Sequence, residues 1–335
     1  MTSPRRTTGS DQLPAHPSMG RPVLRAVPGN PEVDLPRSQE GQQPQRLLTV
    51  LLGDFWHGRR EHLPSAALVA LLADFDVTTV GARAALSRLS RRGVLESSRV
   101  GRNTYYGLTA QAAVVVLENV HRLRAFGARH DPWDGRWTVA AFSLPEDQRD
   151  VRHSVRSRLR WLGFAPLYDG MWVSPRPVAE PARRVFAELG VLASTVLTTT
   201  VDARRSDPRP PMAAWDLTEL RADYEEFIAT NAGLRDRALA GEISGAEAMV
   251  ARVGLLNAWW RFPSSDPDLP LELLPERWPR RGARELFAET YGSLGPPAAE
   301  HFRARLAQTA PDLAPLASYQ RADGSSGTTA GPAPR

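Results

Sequence analysis

The chain has no cysteine and no lysine. Without thiols, neither a disulfide framework nor a thiolate metal site can form. Long apolar runs are missing as well: none approaches the roughly 20 residues that a bilayer-spanning helix requires, and the N-terminus lacks the apolar core of a signal peptide. A soluble, cytoplasmic chain with no membrane partner is the expectation. Catalytic signatures are also absent. The seven histidines, at positions 16, 57, 62, 121, 130, 153 and 301, include no i, i+4 pair, and no GxSxG, GxGxxG or P-loop pattern occurs. No catalytic residue, metal or cofactor is therefore assigned, which points away from an enzyme.

What the chain has instead is arginine. All 42 basic residues are Arg, against 37 acids, for a formal net charge of +5. A GC-rich genome accounts for an arginine bias as well as function does, so the information lies in how the arginines are distributed. Arg83, Arg88, Arg91, Arg92, Arg99 and Arg102 fall in one stretch whose only acid is Glu96. There Thr78 is placed to cap a helix and Gly93 to end it about four turns later. Ala82, Ala85, Leu86 and Leu89 recur at i, i+3, i+4 and i+7, which puts them on one apolar stripe. Arg83, Ser87, Arg88 and Arg91 then lie on the opposite or flanking surface.

Two strand-like runs follow, 94–100 and 104–108, joined by Gly101, Arg102 and Asn103, and this predicts a hairpin. A basic helix leading straight into a basic-tipped hairpin is the layout of a winged helix-turn-helix. Arginine suits such a surface because its planar fork matches phosphate oxygens and the O6/N7 edge of guanine. The candidate DNA-contacting residues are Thr78, Thr79, Arg83, Ser87, Arg88, Arg91, Arg92, Arg99, Arg102 and Asn103, with Arg83, Ser87 and Arg88 the candidates for base edges. The alternative is a solvated amphipathic helix beside an ordinary hairpin.

The 335 residues leave room for two or three domains. Residues 1–44 are rich in Pro, Ser, Gly, Gln and Arg without periodicity and read as a disordered tail. The winged helix-turn-helix spans 45–109, its first two helices ending near Trp56 and Phe75. A linker helix occupies 110–132, with Val114, Leu117, Val120, His121 and Leu123 near helical spacing, and is a candidate for dimer contacts. Residues 133–202 run β-α-β-β-α-β, the ferredoxin-like order. After an Arg- and Pro-rich linker, 212–317 read as helices, including one from Gly282 to about Leu294 and a last one over 297–308. Residues 318–335 read as a second disordered tail. The fold class is α+β.

Seven segments carry a resemblance: LLGDF (51–55), ARAALSRLSRRGVLES (82–97), YYGLT (105–109), WDGRW (133–137), RWLGFAPLYDGMWVSP (160–175), AWDL (214–217) and DPDLPLELLPERWP (266–279). In this order the chain resembles the PaaX-like transcriptional regulator family, the family of the repressor of phenylacetic acid catabolism, over about 45–306. The resemblance implies a dimeric winged-helix repressor of a catabolic operon that binds double-stranded operator DNA. It also implies a middle domain similar to the small CRISPR-associated protein Cas2 and a helical C-terminal domain. For the type member it implies release from DNA by an aryl-acyl-CoA such as phenylacetyl-CoA. The chain departs from the family in its longer tails and in the absence of Lys from the reading helix.

Cas2-like nucleases place a metal-binding Asp at the end of the first strand. Here that strand ends Ala141, Phe142, Ser143, Leu144, with no carboxylate before Glu146, which argues against metal-dependent cleavage. The tryptophans are numerous, and buried anchoring is their commoner use. Arg136, Trp137, Arg160, Trp172 and Arg261 are nonetheless the candidates for holding an acyl-CoA effector, whose phosphates would pair with the guanidiniums. Salt bridges within the fold explain those arginines equally well. An enzyme acting on RNA or an acyl-CoA, with the winged helix as an accessory, is the competing reading, and the missing nucleophile motifs count against it.

Overall fold

A computed structural model describes residues 44–128, 132–201, 209–322 and 326–327. Helix α1 (Pro44–Phe55) leads through the short strand β1 (Leu63–Pro64) to α2 (Ser65–Ala73) and α3 (Thr79–Arg91). Strands β2 (Leu95–Val100) and β3 (Asn103–Leu108) form an antiparallel hairpin with β1 on the far edge of β3, and α4 (Ala110–Ala125) follows. Three helices and a three-stranded sheet give this unit the layout of a winged helix-turn-helix. Its core is mainly apolar: Leu48, Leu51, Leu68, Leu71, Leu72, Ala82, Ala85, Leu86 and Leu89 are all buried.

The middle unit is β4 (Trp137–Phe142), α5 (Arg149–Trp161), β5 (Ala165–Tyr168), β6 (Met171–Ser174), α6 (Ala179–Glu188) and β7 (Ser194–Thr199). The sheet order is β5-β6-β4-β7, with every neighbouring pair antiparallel, which is the ferredoxin-like arrangement. Because side chains alternate across a strand, the sheet has two apolar faces. Ala140, Phe142 and Trp172 pack with Val155, Leu159, Ala182 and Phe186 of α5 and α6. On the other face Trp137, Val139, Leu167 and Val173 meet Trp133, Met212, Trp215 and Leu273, so this face is covered by one residue from just before β4 and by residues that follow the middle unit in the chain.

The rest is helical: α7 (Thr218–Leu239), α8 (Gly245–Trp259), α9 (Phe262–Ser265) and α10 (Arg280–Ala307), then a two-residue pair of β8 (Tyr319–Gln320) with β9 (Ser326–Gly327). Three expectations need correction. The two helices expected over 282–294 and 297–308 are one, with Pro296 and Pro297 inside it. Each proline removes a backbone donor, yet Leu294, Ala298, Ala299, Phe302 and Leu306 stay buried along the same helix, so packing overrides propensity. The tail expected from Ser318 is part of the fold as far as it is described through Ala322, with Ser318, Tyr319 and Gln320 buried. The linker helix expected over 110–132 ends at Ala125 as α4, with Ala112, Val116, Val120, Leu123 and Arg124 buried and Val114 and Leu117 exposed. The expected N-terminal tail, apart from Pro44, lies outside the described residues, as does most of the expected linker before Pro211.

The larger surprise is that the winged helix and the C-terminal helices share a single apolar core. Phe55 stacks on Phe302 with centroids 5.3 Å apart, and Phe126 meets Trp259 at 6.1 Å. Trp259 donates its indole N–H to the Leu123 carbonyl at 2.9 Å. Asp74, at the C-cap of α2, accepts from His301 of α10 at 2.8 Å and is also bridged by Arg305.

At the centre of this joint lies an ion pair. Arg252 of α8 and Asp54 of α1, both fully buried, are bidentately bonded at 2.7 and 2.9 Å. The Tyr291 hydroxyl donates to Asp54 Oδ1 at 2.8 Å, and Arg252 donates to the carbonyls of Tyr291 and Gln320. Burial opposes the charge, yet the Asp54 carboxylate beside it holds the Arg252 guanidinium above its ordinary pKa. Burial pushes the Tyr291 hydroxyl well above its usual range.

A second network ties the middle unit to the C-terminal helices. Tyr224 donates to Asp266 at 2.6 Å, and Arg280 reaches both Asp266 and Asp268 at 3.4 Å. Asp268 adopts a left-handed φ of 53°, its amide donating to Asp266 Oδ1 at 2.6 Å. Arg176, just beyond β6, donates to the Pro267 carbonyl at 2.8 Å. The DPDLP segment is thus the latch between the two units.

Candidate nucleic-acid interface

Helix α3 begins where its sequence says it should. The Thr78 hydroxyl accepts from the Gly81 amide at 3.1 Å, satisfying one of the orphan donors of the first turn. Gly93 ends the helix with φ of 70°, a conformation that costs glycine little. Between them the stripe of Ala82, Ala85, Leu86 and Leu89 is buried. This pins the opposite side of the helix to solvent.

The wing is fixed just as locally. Val100 pairs with Asn103 across the two-residue connection Gly101–Arg102, with Gly101 at φ of 60° in the first central position, as a primed hairpin turn favours. His62 braces it. Its ring lies against Gly107, where a Cβ would collide with it, and it bonds Ser98 Oγ at 2.8 Å and Glu96 at 3.3 Å. The wing's one acid is thereby held beside the His62 ring.

Thr78, Thr79, Arg83, Ser87, Arg88, Arg91, Arg92, Arg99, Arg102 and Asn103 are all exposed. Arg92 bonds the Gln45 side chain at 3.1 Å. Among the described residues, Arg83, Arg88, Arg91, Arg99 and Arg102 have no ion-pair partner. Elsewhere arginines are largely occupied: Arg158 with Glu188, Arg235 with Glu289, Arg237 with Glu247 and Arg281 with Glu285. A run of uncommitted guanidiniums on one helix and its adjoining hairpin is a surface prepared for a polyanion. Sequence reasoning overlooked Val80, which is 79% exposed, and His62, whose bracing role depends on a contact with a glycine 45 positions along the chain.

The five effector candidates are not brought to one place. Trp137 is buried on the sheet face that meets the C-terminal region, with Arg136 exposed beside it. Trp172 is buried on the opposite, helix-covered face, with Arg160 over its ring at 5.3 Å. Arg261 pairs with Asp223 and Glu226. Alternation along the strands explains the split, since Trp137 and Trp172 point to opposite sides of one sheet.

The N-terminal unit has the layout of a winged helix-turn-helix, and it is followed by a ferredoxin-like middle domain and a helical C-terminal domain. Residues 43–112 match the PaaX-like protein family, 130–211 its central Cas2-like domain and 215–304 its C-terminal domain. The chain belongs to the PaaX-like family. It is 29% identical over 260 residues to the transcriptional repressor PaaX of Escherichia coli (strain K12), covering 75% of this chain and 80% of that one. A solved structure, the uncharacterised protein Rv0674 from Mycobacterium tuberculosis, shares the fold with a TM-score of 0.52 and 22% identity, covering 78% of this chain and 98% of that one. Among the described residues no helix is long and apolar enough to cross a membrane.

Proposed function

We propose that this protein is a DNA-binding transcriptional repressor that acts as a homodimer in the cytoplasm on an imperfectly palindromic operator. The observation that carries the reading is the exposed set of arginines without ion-pair partners on α3 and the wing. In a symmetric dimer two such helices enter successive major grooves about one helical turn apart, or a multiple of it. Arg83, Ser87 and Arg88 reach base edges, while Arg99, Arg102 and Asn103 on the wing hold the backbone and fix the register. The repressor reading also draws on the family and on the named function of the Escherichia coli relative.

The effector in this proposal is an aryl-acyl-CoA, and its aryl group is placed at the junction of the middle sheet with the C-terminal helices. There Trp133, Trp137 and Trp215 form a chain of rings with centroids 5.5 and 6.1 Å apart. The N-terminal unit and the C-terminal helices share a core, so in this proposal a ligand that shifts the middle domain against them alters the spacing of the two α3 helices of a dimer. Such release requires different affinities for the two arrangements.

Footprinting on the protein's own upstream region tests the first part. Arg88→Ala should weaken specific binding by about 1–3 kcal/mol, and an unchanged gel-shift affinity removes Arg88 from the interface. For the second part, phenylacetyl-CoA should raise the melting temperature and dissolve the complex where free CoA does neither.

A further inference from the structure

The line of α3 that points farthest from its buried stripe carries no charge over its first two turns. With 3.6 residues per turn, Val80, Ala84, Ser87 and Arg91 at i, i+4, i+7 and i+11 run directly opposite Ala82, Ala85, Leu86 and Leu89. Arg83 lies on one side of that line and Arg88 on the other. Val80 is 79% exposed in the first turn. A β-branched residue there loses rotamer freedom and gains no burial within the chain. Over those two turns the strip is therefore small and apolar, made of the exposed Val80 and the half-buried Ala84 and bordered by two uncommitted cations.

Pressed into a major groove, such a strip meets base edges while the flanking guanidiniums take phosphates or guanines. The apolar feature of that groove is the 5-methyl group of thymine, for which an aliphatic side chain is the fitting contact. We propose that Val80 reads a thymine 5-methyl group in the major groove, with Ala84 extending the same apolar contact. This rests on the DNA-binding reading above and adds a base identity to it.

The test uses full-length protein and a duplex that the wild type selects from a randomised pool. Each thymine is replaced in turn by deoxyuridine, which deletes the methyl and leaves every hydrogen-bonding edge intact. Replacement at the contacted position should weaken wild-type binding about four-fold, the equivalent of one methyl returned to water. In Val80→Ala the preference for thymine over uracil at that position should fall toward one. The salt dependence of binding should stay unchanged, because no phosphate contact is lost.

Indifference of the wild type to every replacement overturns the proposal. So does an undiminished thymine preference in Val80→Ala, or a shallower salt slope in that variant, which would mean the whole helix had moved. A pool from which no duplex is selected defeats the DNA-binding reading itself, an outcome distinct from the other three.

Discussion

Replacing Arg252 with Met removes the cation of a pair that spans 198 positions of sequence and joins α1 to α8. Asp54 would then be a fully buried carboxylate left with the Tyr291 hydroxyl at 2.8 Å and a long contact from the Gln320 amide at 3.4 Å. Removing one partner of such a pair costs about 3–5 kcal/mol, because the survivor is an uncompensated charge in a low-dielectric interior. Removing both is far cheaper. Asp54→Asn combined with Arg252→Met should therefore recover most of the loss, with a coupling of at least about 2 kcal/mol in the double-mutant cycle. Equilibrium urea unfolding followed by tryptophan fluorescence measures this, since Trp56 and Trp259 lie in the shared core. If the single substitution costs under about 1 kcal/mol, or the two effects simply add, the pair is not the joint described above.

Three further outcomes follow from local geometry. Gly295→Ala places a Cβ into the Tyr319 ring; overpacking of this kind costs about 1–3 kcal/mol, read as a lower urea midpoint, and a neutral result would mean that the C-terminal strand is not seated there. Thr78→Ala removes the α3 cap and should cost about 1 kcal/mol, with a matching loss of DNA affinity if the first turn frays. Burial lowers the pKa of His57 below its ordinary 6.5, against the opposing pull of Asp54. The unfolded chain therefore takes up a proton that the folded one resists. Stability should fall as the pH drops below about 6.5, by at most about 1.4 kcal/mol per unit from this group. His57→Gln should flatten that part of the profile, as measured by denaturation at pH 7.5 and 5.5.

Helix α3 was legible because its determinants are near neighbours. Thr78, Gly93 and a 3.6-residue stripe lie within one short window, and so does the Gly101 turn. The ferredoxin-like strands also announced themselves through short apolar runs between breaks. What stayed hidden depends on distant contacts. No local pattern marks Asp54 as the partner of Arg252, and LLGDF reads simply as the end of an apolar helix. Pro296 and Pro297 signal a break in any local reading, and only the surface packed against α10 overrules them. Tyr319 and Gln320 sit before a Gly/Ser-rich run whose composition hides their burial. The candidates around Trp137 and Trp172 looked like one group because sequence carries no record of which side of a sheet each strand residue takes.

The common core has a practical corollary. Excising the segment around α1 to α4 would bare the undersides of Phe55, Trp56 and Phe126, so the DNA-reading part is no detachable cassette. A swap of specificity between relatives would have to graft outward-facing positions of α3 and the wing, and leave the scaffold beneath them whole.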